Sequence, residues 1–163
     1  MPANFSSSFV PVVEVANQYP TLVFDSIKLQ TFFTVVFSVH KHNFNGELSI
    51  AFMKRENHSL LHGKYLQDFR PTDVITFPGC PEDDLIGEIC VCVDQALEEA
   101  SKNNLTFHEE LSLYLIHGWL HLLGFDDCEI IDREVMRNEE QRVMYEVKKL
   151  NAYPDFRLAQ DAG

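Results

Sequence analysis

His117 and His121 stand four residues apart in the run His117-Gly118-Trp119-Leu120-His121-Leu122-Leu123-Gly124-Phe125-Asp126-Asp127. On a helix this spacing projects both imidazoles from one face, one turn above the other. Their ring nitrogens can then reach a single ion at Zn–N distances of about 2.0–2.1 Å. Gly124 ends the helix and takes left-handed conformations freely, so the chain can double back and deliver a third ligand. Asp127 occupies the third-ligand place of an H-x3-H-x2-G-x2-[HD] pattern. Three protein ligands with an open fourth position describe a catalytic zinc site. Cys128 is the alternative third ligand. Its neighbours Asp126 and Asp127 would raise the thiol's pKa and blunt its nucleophilicity.

Zinc peptidases carry a glutamate directly after the first histidine, as general base toward the water on the metal. Here that position is Gly118, which has no side chain to accept a proton. A zincin-like metalloprotease is therefore disfavoured, while hydrolysis by water acidified on a zinc ion remains available. The sequence contains no G-x-x-x-x-G-K-[ST] or G-x-G-x-x-G phosphate loop and no G-x-S-x-G nucleophile elbow.

The elements that must hold this run can be read from periodicity. Thr106-Phe107-His108-Glu109 is a capping box, and the helix it opens is apolar over much of its circumference, which implies a central position. A last amphipathic helix follows from about Asp132 to Leu150, with Val135, Met136, Val143, Val147 and Leu150 inward. Upstream, Phe9 to Val15 has strand composition, with Pro11 favouring a sheet edge. Asp25 can cap a helix carrying Ile27, Leu29, Phe32, Phe33, Val36 and Phe37 at helical spacing. Leu48, Ile50 and Phe52 alternate as in a half-buried strand. Glu56 to Ser59 reads as a turn before a short helix to Gln67. Pro71 to Pro78 is a strand bracketed by prolines, and Ile86 to Val93 another. Asp94 can then cap a helix running to about Lys102. Strands interleaved with helices indicate an α/β or α+β layered domain over residues 9–150. Residues 1–8 read as a frayed terminus and 151–163 as a loose tail.

At 163 residues, with 45% hydrophobic and 23% charged positions, the chain is long enough for one domain with its own core. No apolar stretch approaches the ~20 residues of a membrane-spanning helix, so no membrane partner is expected. The first basic residue is Lys28, so the amino terminus lacks the charged start of a secretory signal. Cys80, Cys90, Cys92 and Cys128 are accordingly expected as reduced thiols in the cytoplasm. Net charge is −12, yet its distribution is uneven. Lys28 to Arg70 carries six basic and three acidic residues, whereas Pro71 onward carries seven basic and twenty acidic. The total does not support an RNA partner, and the mildly basic section does not exclude one.

The run from His117 to Asp127 resembles the H-G-x-L-H-L-x-G-[YF]-D-H signature of the YbeY endoribonucleases. Pro71-Thr72-Asp73-Val74-Ile75-Thr76-Phe77-Pro78 is similar to that family's P-T-[DN]-V-L-S-F-P strand, and Leu85-Ile86-Gly87-Glu88-Ile89 to its L-G-D-I strand start. The similarity extends from about Leu48 to Leu150. It implies an α/β sandwich with a small mixed four-stranded sheet covered by helices, and a zinc ion at the end of the central buried helix. It also implies cleavage of single-stranded ribosomal RNA, 3′-end maturation of small-subunit RNA, ribosome quality control, and a ribosomal or small-subunit partner in the cytoplasm. Two positions depart from the pattern. Asp127 stands for the third histidine, and carboxylate oxygen is a legitimate zinc ligand. Leu66 stands where the family places an arginine, which would bind or neutralise the scissile phosphate.

The expected centre is therefore His117, His121 and Asp127 on one zinc ion, with Asp126 as a candidate to orient a ligand histidine. Arg70 is the candidate phosphate contact, and Lys64 the other cation near Leu66. The competing reading is a ribosome-assembly factor whose metal is structural, which the loss of the arginine at Leu66 favours.

Overall fold

The computed structural model describes residues 10–160, so the expected fray at 1–8 lies outside the described residues. Pro11 is followed by Val12–Asn17 (β1), an edge strand as its composition suggested. Leu22–Val23 (β2) is a two-residue strand. Asp25 then accepts the Lys28 backbone N–H at 3.0 Å and starts Ser26–Val39 (α1). Leu29, Phe32, Phe33, Val36 and Phe37 of α1 are buried, and Ile27 faces solvent.

Glu47–Met53 (β3) lies inside the sheet rather than on a half-exposed face. Leu48, Ile50 and Phe52 enter the main core, while Ala51 and Met53 enter a smaller one with Ile75 and Cys90. Arg55–Leu66 (α2) supplies Leu61 to that second core and begins earlier than the polar run Glu56 to Ser59 suggested. Its cap comes from elsewhere in the chain. The Asp94 carboxylate accepts the Arg55 backbone N–H at 2.9 Å and the Tyr19 hydroxyl at 2.6 Å. Asp94 thus serves α2 from the first turn of the next helix, where its own helix was expected to use it.

Val74–Pro78 (β4) and Leu85–Cys92 (β5) complete a mixed sheet in the order β1-β3-β5-β4. The pairs β1/β3 and β3/β5 are parallel, and β4/β5 is antiparallel. Val93–Asn103 (α3) follows β5 directly, and Phe107–Leu122 (α4) is capped by Thr106, which accepts the Glu109 N–H at 3.3 Å. Helix α4 crosses β4 and β5 with Leu111, Leu115, Ile116, Trp119 and Leu120 fully buried. This is the central helix its apolar circumference required.

Gly118 shows how closely α4 approaches the sheet. A Cβ there would lie 2.6 Å from the Ile89 Cγ2 and 3.2 Å from the Val74 Cγ2. The glycine is therefore a packing requirement, and any side chain at this position would be driven into the sheet.

Ile130–Lys149 (α5) turns Met136, Val143 and Val147 inward, but Val135 and Leu150 are exposed. Beyond it, the stretch read as a loose tail is packed up to Phe156. Ala152 and Phe156 are buried, and the Phe156 ring meets Phe24 and Phe52 at centroid separations of 5.9 and 5.5 Å. Burying one such ring contributes about 1.5–3 kcal/mol, and Pro154 restricts the chain leading into it. Arg157–Leu158 (β6) pairs antiparallel with β2. Among the described residues no helix is long and apolar enough to cross a membrane.

His58 on α2 is fully buried, with Nε2 donating to the Cys90 carbonyl at 2.9 Å and Nδ1 unpartnered. Burial pushes its pKa below the ordinary histidine value. The unfolded chain therefore takes up this proton at higher pH than the native protein does, and stability falls as pH drops from about 6.5 through the depressed native value. His58→Gln keeps a donor but does not titrate. Its urea midpoint should lie below wild type at pH 7.5, with the gap narrowing toward pH 5. A gap that stays constant would contradict the assignment. Gly118→Ala should lower stability by up to about 2 kcal/mol. Overpacking costs about 1–3 kcal/mol against a helix-propensity gain of about 1 kcal/mol, and the 2.6 Å approach to Ile89 puts the cost toward the upper end. Chemical denaturation measures the net sign.

Candidate metal centre

The last turn of α4 closes on Leu123. The Gly124 N–H reaches the His121 carbonyl and the Phe125 N–H reaches the Leu120 carbonyl, each at 3.0 Å. These are the paired bonds of a Schellman stop, and Gly124 takes the positive φ of +105° that it needs. The reversal carries Asp127 back over the helix end. Its Oδ2 lies 3.3 Å from the His117 Nε2 and 3.5 Å from the His121 Nε2. The two Nε2 atoms are 3.0 Å apart. Ligands held at about 2.0–2.1 Å in a tetrahedron are separated by roughly 3.3–3.4 Å. The three donors thus have the spacing that one ion requires, with the histidine pair slightly tight.

Both imidazoles are fixed from behind. The His117 Nδ1 donates to the Glu140 Oε1 of α5 at 2.5 Å, and the His121 Nδ1 donates to the Phe125 carbonyl at 3.1 Å. A carbonyl and a carboxylate only accept, so each Nδ1 carries the hydrogen and each Nε2 presents its lone pair inward. Two lone pairs and a carboxylate oxygen converge there, and only a cation or a proton relieves their mutual repulsion. Burial lowers the basicity of His117. The bond to Glu140 and the charges of Asp73, Glu140 and Asp127 outweigh that effect and hold its pKa above the ordinary value. The side chains of His117, His121 and Asp127 are 13%, 24% and 39% exposed, so the group opens to solvent on the carboxylate side.

The other expected site residues lie elsewhere. Asp126 accepts the backbone N–H groups of Asp127 at 2.7 Å and Cys128 at 3.3 Å, holding the turn and touching neither histidine. The contact foreseen for it, a hydrogen bond to one of the two histidines, is made by Glu140. That residue was missed because it is 23 positions from His117. A signal was present, since Glu140 falls between Met136 and Val143 on the inward stripe of α5. Arg70 is exposed and locked to Asp68 through Nε at 2.9 Å and a second nitrogen at 2.7 Å. Leu66 is 60% exposed at the end of α2. Cys128 is exposed, and its hydrogen bond to Asp126 raises the thiol's pKa, which disfavours the thiolate. Cys90 is buried, and burial pushes its thiol up to about 12. It packs and does not react.

A cleft of about 450 Å³ opens beside His117 and Asp127, between α4 and α5. Asp73, Glu110 and Glu140 line it, and so do Arg133 and Arg137. Glu110 is buried, with Oε2 unpartnered, and burial followed by the charges of Glu99 and Asp73 raises its pKa. A larger cavity, about 530 Å³, lies between the Lys41 to Asn45 loop and Leu122 and is lined by neither His117 nor His121. Size does not decide the matter. The smaller cleft is the one that reaches the converging donors.

The family profile described as Endoribonuclease YbeY matches residues 14–148. A relative named Endoribonuclease YbeY from Protochlamydia amoebophila is 34% identical over 148 residues, covering 88% of this chain and 98% of the relative. One of the same name from Legionella pneumophila is 30% identical, covering 71% of this chain and 77% of its own. The solution structure of TM1509 from Thermotoga maritima superposes with a TM-score of 0.57 at 26% identity, covering 86% of this chain and 95% of that one. The mixed sheet, the glycine-stopped histidine helix and these matches agree, and the chain belongs to the Endoribonuclease YbeY family.

Proposed function

We propose that this protein is a zinc-dependent endoribonuclease specific for single-stranded RNA, with His117, His121 and Asp127 as the metal ligands. The observation that carries the reading is the convergence of two Nε2 lone pairs and one carboxylate oxygen within 3.5 Å, with both Nδ1 atoms already tied down. Two imidazoles and an oxygen on an open site suit zinc over harder or softer ions. When bound, the ion would supply Lewis acidity toward a phosphodiester and acidify water near neutral pH. Glu140 and the Phe125 carbonyl keep the two imidazoles oriented, so no reorganisation is needed when substrate arrives. Glu110, with its raised pKa and an unpartnered oxygen in the cleft, is suited to hold or release a proton there.

Family membership supports ribosomal RNA as the substrate, and with it we propose 3′-end maturation of the small-subunit RNA and ribosome quality control in the cytoplasm. A second reading, a ribosome-assembly factor with a structural metal, is favoured by the exposed Leu66 where the family arginine is expected. The peptidase reading has no support in the site. Gly118 provides no carboxylate, and its Cβ direction is toward Ile89 and Val74.

Protein purified without chelator should contain about one zinc per chain and cleave single-stranded ribosomal RNA. His121→Ala should lose both properties, as read by elemental analysis and a gel assay. Equal zinc in wild type and variant would remove the site. Zinc without cleavage in the wild type would instead favour the assembly-factor reading.

Metal binding must displace the proton that His117 holds, so zinc affinity should fall as pH drops through the raised His117 value. Glu140→Gln should weaken zinc about 10- to 100-fold near pH 8 and move that fall-off to lower pH. Chelator competition across pH 5.5 to 8 would show both effects. An unchanged affinity and profile would mean that Glu140 does not position the ligand.

A further inference from the structure

The resemblance leaves a gap at Leu66, and the structure shows which cations are free to fill it. Among the described residues, Arg70 is bound by Asp68, Arg55 by Glu98, and Lys102 by Glu98 and Glu99. Lys28, Arg142 and Lys149 are likewise paired with Asp155, Glu139 and Glu146. Lys64 lies 5.4 Å from the centre of the Tyr65 ring on α2. Arg133 and Arg137, like Lys41, Lys54, Lys148 and Arg157, make no ion pair among the described residues, and of all the basic side chains they are the two that line the cleft containing His117 and Asp127.

Their placement on α5 is ordered relative to the acidic groups. Arg133 and Arg137 are one helical turn apart and solvent-exposed. The carboxylates of Glu110 and Glu140 are withdrawn into the cleft, Glu110 buried and Glu140 15% exposed against His117. An approaching strand therefore meets the two guanidinium groups at the rim, beside the partly exposed Asp73 and Asp127, with Glu110 and Glu140 withdrawn below. Arg133 also donates to the Cys128 carbonyl at 3.3 Å, which fixes it beside the turn that delivers Asp127. Guanidinium is the group best shaped to hold phosphate oxygens in pairs.

We propose that Arg133 and Arg137 are the phosphate-binding edge of this site, holding the backbone of single-stranded RNA across the cleft in place of the arginine absent at Leu66. The inference rests on the RNA-cleaving reading of the centre. It makes α5, which already positions His117 through Glu140, the element that also positions the substrate. The contact is to the backbone, so it confers affinity without sequence preference.

The test uses the zinc-loaded 163-residue protein and a fluorescent 2′-O-methyl oligouridine of twelve nucleotides, whose integrity is checked on a gel after each titration. Binding is measured by anisotropy from 50 to 300 mM KCl for wild type, Arg133→Gln, Arg137→Gln, the double variant, and Arg70→Gln with Lys64→Gln. Each cleft arginine should reduce the slope of log affinity against log salt by about 0.7, and the double variant by about 1.4. Arg70→Gln and Lys64→Gln should leave the slope unchanged. With cleavable RNA, Arg137→Gln should raise KM more than it lowers kcat. Zinc content should be unaltered in Arg137→Gln, which separates lost contact from a disturbed ligand turn. Wild-type slopes in both cleft variants would overturn the proposal, as would a loss confined to Arg70→Gln or Lys64→Gln. Absence of oligonucleotide binding by wild type would overturn the RNA reading itself.

Discussion

The carboxylate of Glu140 against the Nδ1 of His117 joins two helices at the point where the chemistry is proposed to occur. It fixes the tautomer of His117, sets the direction of the Nε2 lone pair, and keeps α5 against α4 next to the cleft. Taken alone, the histidine pair is two rings on a helix, free to rotate about their side-chain torsions. With Glu140 and the Phe125 carbonyl behind them, both rings face one point. The Schellman stop adds the third donor, because the same reversal that satisfies the end of α4 brings Asp127 over it. Helix termination and placement of the third donor are one structural event.

The interior is arranged to make that helix immobile. Trp119 lies between the histidines in sequence yet on the opposite face, fully buried among Phe37, His42 and Phe44. Gly118 lets α4 sit directly on Ile89 and Val74. Between these two contacts the face carrying His117 and His121 has little freedom to roll. The glycine that permits this approach is also the residue that removes the peptidase base, so close packing and the choice of chemistry are linked at one position.

What could be read from the sequence was what is local. The four-residue histidine spacing, the Thr106 and Asp25 caps and the Gly124 stop act within a turn or two, and they appear as the sequence suggested. What escaped depends on distant partners. Glu140 acts across 23 residues, and the N-terminus of α2 is capped by Asp94 across 39. The alternation in β3 was visible, but its burial on both faces follows from α2 covering the second face. The C-terminal segment resembled a tail because Asn151 and Pro154 are turn formers. Its anchor is Phe156, whose partners Phe24 and Phe52 are over one hundred residues away. Asp126 stood next to a proposed ligand in sequence, and proximity along the chain was a poor guide to its role.

The central claim is that the ion is held by two imidazoles oriented from behind and by one carboxylate. X-ray absorption at the zinc edge of the loaded protein measures this directly, since it reports neighbour distances, separates sulfur from nitrogen or oxygen, and counts imidazoles by the outer-shell scattering of their rings. The account predicts two imidazole nitrogens at about 2.0–2.1 Å with the remaining neighbours oxygen, and no sulfur. A sulfur scatterer at about 2.3 Å would place Cys128 on the metal and contradict it.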